Sequence, residues 1–499
     1  MRRRGWNRTQ LWHLGLVVGL ALVVRGRWGL ADLIHNDGPE FVRMAEALGR
    51  GDLGEALSHP FHPLTSALMA LLHSAVGLSL EGAGRLVSVL SGGLGAGALY
   101  LVARAGMPPP TALVAGLLFA VHPRLVDVST SVQSDALHLA LVLVASLLAW
   151  RGLQGHRTGA VLGSGLVCGL AYLTRPEGLL VAMVFGLALC AVALARRISA
   201  GAGLQLAGAF GLGLLLVGGP YVLTIHSITG EWRVSQKKSV VGILGIDPGP
   251  ATPPVSPTLE LLQDTPLPPS APPPLVTALQ EVLYDGLRAM RPAFLLLLML
   301  GFRWSRPAPH TLYLLGYVAA LGLLLLGLRL DAGYISRRHW LVGVAMLLPF
   351  VGRGFLETWI AILRRFASAS VQPRLTGAGV AAVILGVGLF GLSAEEPVKR
   401  ARRDAAVWLR TQGEAGFVAA PRSRVAYYAG AQRYIDMPET LDVTAFVDAL
   451  RGSGASFLIT EQSRVPAPLR AGGPGLVPVH RSPYPEGSVV VYRVEPEGS

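Results

Sequence analysis

The sequence predicts an all-α polytopic membrane bundle of about eleven to thirteen transmembrane helices, followed by a small C-terminal α/β soluble domain. Three observations predict it. Of 499 residues, 52% are hydrophobic and 15% charged, a balance that excludes an ordinary water-soluble globule for most of the chain. Apolar stretches long enough to cross roughly 30 Å of hydrocarbon recur along the chain, and backbone groups inside lipid must be satisfied within their own segment, so these stretches are helices. After residue 394 charge returns and the apolar runs shorten.

The net charge of +13 sits mainly in short linkers between apolar runs: MRRRGWNR, RGLQGHR, ARRISAG, RWSRPAPH and RRFASASVQPR. That is the positive-inside distribution, which makes the charge a topology signal and argues against nucleic acid as a partner. Cys168 and Cys190, the two cysteines, fall within expected spans, where neither a structural disulfide nor a metal cluster is expected. Residues 11 to 24 imitate a signal peptide, but no small-residue cleavage site precedes Arg25 and Arg27, so the segment reads as an uncleaved first span.

With basic linkers on the cytoplasmic side, the first span covers 11 to 30 and an exterior loop follows from 31 to 63. Further spans are expected near 86 to 104, 111 to 122, 133 to 151, 159 to 174, 178 to 196, 203 to 226, 291 to 302, 311 to 329, 339 to 361 and 375 to 393. The apolar run 64 to 80 either crosses or re-enters; its crossing would break the alternation of sides. Counting back from the basic segment 363 to 374 puts 394 to 499, RRHW at 337 to 340, the loop 227 to 290 and TRPEG at 174 to 178 outside. The expected domains are therefore a membrane domain over 1–393 and an exterior domain over 394–499.

The loop 227 to 290 carries DPGPATPPVSPTLELLQDTPLPPSAPPP, whose prolines favour extended polyproline conformations that drape over the exterior opening or form a spacer. In the C-terminal region VKRARRDAAVWLRTQG has helical spacing, with Val398, Ala401, Ala405, Trp408 and Leu409 on one face. FVAA, VAYYAG, FLITEQ and SVVVYRV read as strands, and TAFVDALRG as a helix among them.

The chemistry-bearing residues share the exterior side in this reading. Asp37 sits just before PEFVRMAEALGRGD, which has the spacing of a surface helix with Phe41, Met44, Ala45 and Leu48 on its apolar side and Glu40 in its first turn. An acid beside a bilayer faces a cavity, a partner or a substrate; Asn36 or Asp37 ahead of Pro39 is also ordinary capping chemistry, and spacing alone does not separate the two. HPFHPL places His59 and His62 in a proline-constrained loop, where they shape a cleft; zinc would need further ligands. Asp135 heads a span, with Ser134 in position to cap it. Arg175 interrupts an apolar stretch where Pro176 breaks the helix, and needs an anion, a wet cavity or Glu177 as counter-charge. Lys237, Lys238, Arg337, Arg338 and His339 add cationic groups on the same side, against the positive-inside bias, which points to an anionic ligand or to lipid headgroups.

Taken in order, the exterior aspartate after the first span, the surface helix, HPFHPL, the second acid, LTRPEG and the tail with AVWLRTQG then RVAYYAG resemble the GT-C superfamily. More narrowly, they are similar to the bacterial branch related to protein O-mannosyltransferases and the lipid A aminoarabinose transferase. The resemblance covers nearly the whole chain and rests on motif order. It implies an integral membrane glycosyltransferase that takes a sugar from a polyprenyl-phosphate carrier and passes it, with inversion, to an acceptor hydroxyl of a glycan, lipid or protein on the exterior face of a bacterial inner membrane. It further implies Asp37 as base or acceptor-positioning group, Asp135 as the second-loop acid, Arg175 near the carrier phosphate and Arg338 in the late basic-aromatic motif. Relatives commonly carry Asp-Glu where this chain has Asp37-Gly38, so either Glu40 compensates or the second carboxylate is dispensable. No cofactor or metal is expected, because arginine and lysine can stabilise a departing phosphate electrostatically. Two other classes fit parts of the pattern: a flippase of an anionic polyprenyl lipid, which internal repeats would favour although none is seen, and a surface-glycan polymerase or ligase.

Overall fold

The computed structural model describes residues 8–28, 33–230, 232–235, 273–305, 308–333, 335–366, 375–382, 386, 397–436, 450, 452, 454–465, 469–471 and 475–495. Contacts divide these into two compact units: one holds the long helices up to residue 392, and the other holds the C-terminal region together with residues 33–43 of the first loop. Sequence reading had assigned the whole first loop to the membrane domain. The structure groups its first part with the C-terminal residues.

Among the described residues of the first unit, seven helices are long and apolar enough to cross a membrane: Arg8–Arg27, Leu80–Arg104, Asp135–Gly155, Pro176–Leu194, Ala200–Thr229, Pro309–Asp331 and Arg337–Phe366. Four shorter apolar helices accompany them, Leu64–Val76, Pro109–Val121, Thr158–Tyr172 and Pro292–Trp304. The chain is a multi-pass membrane protein. The ambiguous run 64 to 80 resolves into a helix of 13 residues that stops at Gly77, whose φ of 73° makes the left-handed turn out of it. At 1.5 Å per residue it is about 20 Å long, too short to cross hydrocarbon alone. The next helix starts at Leu80, where the Ser79 hydroxyl accepts from Gly82 N at 3.1 Å. The span expected at 375 to 393 lies mostly outside the described residues.

Helix packing in this unit uses small residues where backbones meet. A Cβ at Gly301 would lie 1.9 Å from the carbonyl oxygen of Phe350, and one at Gly354 1.9 Å from that of Leu297. Pro292–Trp304 and Arg337–Phe366 are therefore in direct backbone contact, a membrane packing mode that any larger residue would force apart. Gly165 and Gly213 do the same for Thr158–Tyr172 and Ala200–Thr229.

Part of the loop expected over 227 to 290 is helical. Leu275–Met290 buries Ala278, Val282, Ala289 and Met290 on one face, a helical repeat that the proline-rich stretch before it obscured. Trp340 donates its indole N–H to Val282 O at 2.9 Å, tying this helix to the turn Arg337–Trp340.

The second unit is a five-stranded sheet with helices. Its strands are β1 Phe417–Ala420, β2 Arg433–Asp436, β3 Phe457–Glu461, β4 Leu476–Tyr484 and β5 Gly487–Val494, in the order β2-β1-β3-β5-β4. β1 pairs in parallel with β2 and β3, and β5 antiparallel with β3 and β4. The helix Pro397–Thr411 buries Ala401, Ala405, Ala406 and Leu409, so the expected apolar face is largely the packed one. VAYYAG, expected as a strand, is instead part of the helix Ser423–Ala429 that links parallel β1 and β2, because parallel neighbours need a crossover. Strands β2 and β4 had not been expected. TAFVDALRG lies almost entirely outside the described residues.

Candidate functional site

Three helix beginnings converge in the first unit. Asp135 opens Asp135–Gly155, Arg175 immediately precedes the turn Pro176–Leu179 that leads into Leu180–Leu194, and Arg337–Trp340 leads into Leu341–Phe366. Pro176 explains the second beginning, since it cannot continue the helix before it and is pre-set for a first turn. Helix N-termini carry partial positive charge and unsatisfied N–H groups.

Asp135, His138, Arg175, Glu177, Arg338 and His339 line one pocket there, and Leu180, Tyr317, Leu321, Leu325, Leu341 and Val342 supply its apolar wall. Asp135 is 6% exposed and accepts from Arg175 Nη1 at 2.8 Å, with Arg338 Nη1 3.8 Å from its other oxygen. Arg175 also reaches Glu177, Nη2 to Oε1 at 3.1 Å and Nε to Oε2 at 3.4 Å. One guanidinium thus bridges two acids. The Ser134 side chain makes no capping hydrogen bond, so the expectation that it caps this helix fails. Asp135 serves the arginines rather than only the helix dipole.

Arg175 therefore has both of the partners a buried cation can recruit: the neighbour two residues on and an acid forty residues back. Arg338 differs from it. Its contact is at the outer limit of an ion pair and its side chain is 29% exposed, against 18% for Arg175. Arg337 points elsewhere, with Nε 3.8 Å from Asp285 on Leu275–Met290. His339 Nδ1 accepts from Ser336 N at 3.1 Å, which orients the ring at the pocket edge.

His59 and His62 are both buried. The His62 ring lies 5.1 Å from Tyr172 and 5.0 Å from Tyr221, and its Nε2 is 3.1 Å from Ser235 Oγ. Leu64 N donates to Leu173 O at 2.9 Å, so the HPFHPL loop is fastened beside the segment that carries Arg175. Among the described residues no three His, Cys, Asp or Glu side chains gather as a metal-ligand set. Lys237 and Lys238 lie outside the described residues.

Asp37 belongs to the second unit. It stands directly before the helix Gly38–Gly49, and its carbonyl accepts from Phe41 N at 3.3 Å, the first hydrogen bond of that helix. Its carboxylate is 32% exposed, with an oxygen 3.4 Å from His35 Nδ1. Glu40 is taken up by Arg43 at 2.7 Å, one turn along. The loop before the helix is held within this unit: Tyr428 Oη accepts from Ile34 N at 3.2 Å, and Ser423 Oγ donates to Asn36 O at 2.9 Å. So RVAYYAG, one of the tail motifs, fixes the backbone on which Asp37 is mounted.

Residues 58–218 match the family model described as dolichyl-phosphate-mannose-protein mannosyltransferase. No curated protein matches the chain in sequence. Among solved structures, the apo form of ArnT from Cupriavidus metallidurans superposes with a TM-score of 0.60 at 15% identity, covering 96% of this chain and 97% of that one. The same protein bound to undecaprenyl phosphate gives 0.57 at 15% identity, again over 96% and 97%. The oligosaccharyltransferase from Archaeoglobus fulgidus in its apo form gives 0.52 at 12% identity, over 92% of this chain and 70% of that one. The chain has the GT-C fold.

Within this GT-C fold, sequence reading placed Asp135, Arg175, Arg338 and His339 on one side of the bundle, and the structure brings them into one pocket. It left Glu177 as no more than a local counter-charge and passed over His138 and Tyr317. The spacing Asp135-x-x-His138 puts both side chains on one helix face, a readable signal. Tyr317 had none, being an aromatic in an apolar run that is fully buried at its own helix level.

Proposed function

We propose that this chain is a glycosyltransferase that moves a hexosyl or pentosyl unit from a polyprenyl-phosphate carrier to an acceptor hydroxyl on the exterior face of a bacterial inner membrane, with its N-terminus cytoplasmic and its C-terminal domain outside. The observation that carries the reading is the pocket where Arg175 and Arg338 meet three helix beginnings above a wall of leucines. An anionic head on an apolar chain is the ligand whose two halves those surfaces suit. The undecaprenyl phosphate bound to ArnT is such a molecule.

In the proposed reaction the acceptor oxygen attacks the anomeric carbon from the face opposite the phosphate, and its proton passes to Asp37. The new C–O bond forms as the bond from the anomeric carbon to the phosphate oxygen breaks, and polyprenyl phosphate leaves with the electron pair. Arg338 turns from Asp135 to the phosphate, and Arg175 stays fixed between Asp135 and Glu177 to hold the positive field in place. Preorganised cations of this kind lower the cost of the departing charge without reorganisation. The proposed reaction needs no metal, so chelator should leave the rate unchanged.

The test is sugar transfer by the purified protein from a labelled polyprenyl-phosphate donor to a mixture of envelope acceptors. Transfer by the parent and its loss in Asp37→Asn is the expected result; equal rates in both would remove Asp37 from the chemistry, and no transfer from any polyprenyl-phosphate sugar would overturn the reading.

A further inference from the structure

A second hollow lies in the first unit along the seam between Pro176–Leu194 and Pro309–Asp331. It encloses about 380 Å³, within the range of ligand pockets, and is lined almost wholly by apolar side chains. Its floor is built from Trp150 and Tyr313, whose rings lie 5.3 Å apart and are buried, with the Tyr313 hydroxyl donating to Ser146 O at 3.2 Å. Leu187 and Leu312, each 61% exposed, form its rims, and Gly316 leaves the opening between them. The floor is therefore held by packing and a hydrogen bond, and the side is open.

One charged residue lines the hollow, Arg197, and it closes the end farther from the Asp135 pocket. Arg196 stands beside it in the left-handed region at φ 52°, and Arg197 N returns to Val192 O at 3.1 Å, so the chain folds back just where the helix ends. From Val184 to Ala195 the helix rises about 16 Å at 1.5 Å per residue, which is about half the hydrocarbon thickness. The groove thus has about the length of one leaflet and ends at Arg197.

We propose that this groove holds one phospholipid with an anionic headgroup, its acyl chain on Trp150 and Tyr313 and its phosphate at Arg197. The occupant follows from the charge at one end, the apolar length and the lateral opening: a soluble anion would leave the aromatic floor uncovered, and a neutral lipid would bring no charge to Arg197. The site does not depend on the glycosyltransferase reading, since it lies at the opposite end of the same helices.

Native mass spectrometry of the full chain in detergent, titrated with phosphatidylglycerol or with phosphatidylcholine of the same chains, tests it. The expected result is one phosphatidylglycerol retained in preference to phosphatidylcholine. Arg197→Glu should weaken that binding by at least about fivefold, the effect of a single basic residue at an anionic surface, and Gly316→Trp should block it by filling the opening. Thermal melting should rise with added phosphatidylglycerol in the parent and in neither variant. Equal retention of the two lipids by the parent, or unchanged phosphatidylglycerol binding in both variants, overturns the proposal; the parent comparison stands even if a variant does not fold.

Discussion

Asp37 and Asp135 both stand at the start of a helix, one just before it and one as its first residue, and have opposite surroundings. On spacing alone Asp37 is a capping residue as easily as a chemical one, whereas Asp135 reads first as a helix start that complements the dipole. Asp135 is 6% exposed between two arginines, whereas Asp37 is 32% exposed with a histidine as its neighbour. A carboxylate that two cations already neutralise is a poor proton acceptor and a good anchor; one that water and a titratable ring reach can take up and release a proton. The difference is the one that the proposed reaction uses, in which Asp135 fixes the positive field and Asp37 receives the acceptor's proton.

The sharpest way to break this comparison is to remove each carboxylate's charge while keeping its shape. Asp37→Asn is expected to lower kcat by about 10³-fold, the scale of general base catalysis. Asp135→Asn keeps a hydrogen-bond acceptor toward Arg175 and should cost about tenfold, the scale of a single charge-assisted hydrogen bond. Transfer rates under donor saturation decide it, and a larger loss in Asp135→Asn than in Asp37→Asn would reverse the assignment.

Arg175 is the next point of attack, because it holds two acids at once. Arg175→Ala takes from Asp135 and Glu177 the guanidinium they share and leaves Asp135 only the more distant Arg338, and removing one member of a buried ion cluster costs about 3–5 kcal/mol. The loss should appear as a lower melting temperature as well as lost transfer. Arg175→Lys restores charge but not the fork that spans two carboxylates, and should recover stability only in part. Arg25 offers the control: it is fully buried, yet bonds to Ser129 Oγ at 2.6 Å and to backbone carbonyls of Ala21, Ala120 and Leu125, with no carboxylate partner among the described residues. Arg25→Met should lower stability and leave the donor KM of the surviving protein unchanged.

Arg338 should produce a smaller effect of a different kind. If it turns from Asp135 to the phosphate, Arg338→Ala raises the KM for the polyprenyl-phosphate donor about tenfold, the worth of one charge-assisted hydrogen bond, and changes kcat less. Steady-state kinetics with varied donor would show it. A fall in kcat alone would mean that Arg338 acts through Asp135 and not on the carrier.

How much of this could be read from residues divides along physical lines. The long apolar helices were legible because crossing hydrocarbon imposes a length and a composition that no other constraint imitates. The partner of Arg175 was only half legible: Glu177 was visible at two residues' distance, but Asp135 comes from forty residues earlier, and nothing local says that those helix ends meet. The helix Leu275–Met290 was hidden behind a proline-rich stretch whose composition dominated its neighbourhood. VAYYAG misled for another reason. Its β-branched and aromatic residues favour a strand, but the parallel pairing of β1 with β2 needs a crossover, and topology overrode propensity. β4 carries prolines at 478 and 483, which break a strand pattern on paper and are tolerated beside β5 at the edge of the sheet.

The smallest expected effect concerns the unit that carries Asp37 and gives that comparison a pH axis. His480 on β4 stacks on Trp408 of Pro397–Thr411, with ring centroids 4.4 Å apart and planes 6° from parallel. Burial against the indole holds the imidazole below its ordinary value of 6.5, because the charged form loses water that the ring face does not replace. The unfolded chain then takes up a proton more readily than the folded one. The contribution of neutral His480 is complete above pH 6.5 and is lost as pH falls from there through the lowered folded value. Melting of the parent should therefore fall slightly between pH 7.5 and 5.5, and His480→Phe, which keeps a flat ring on Trp408 and removes the titration, should lose that part of the fall. An identical pH dependence in the two proteins would show that the stack contributes through its contact alone.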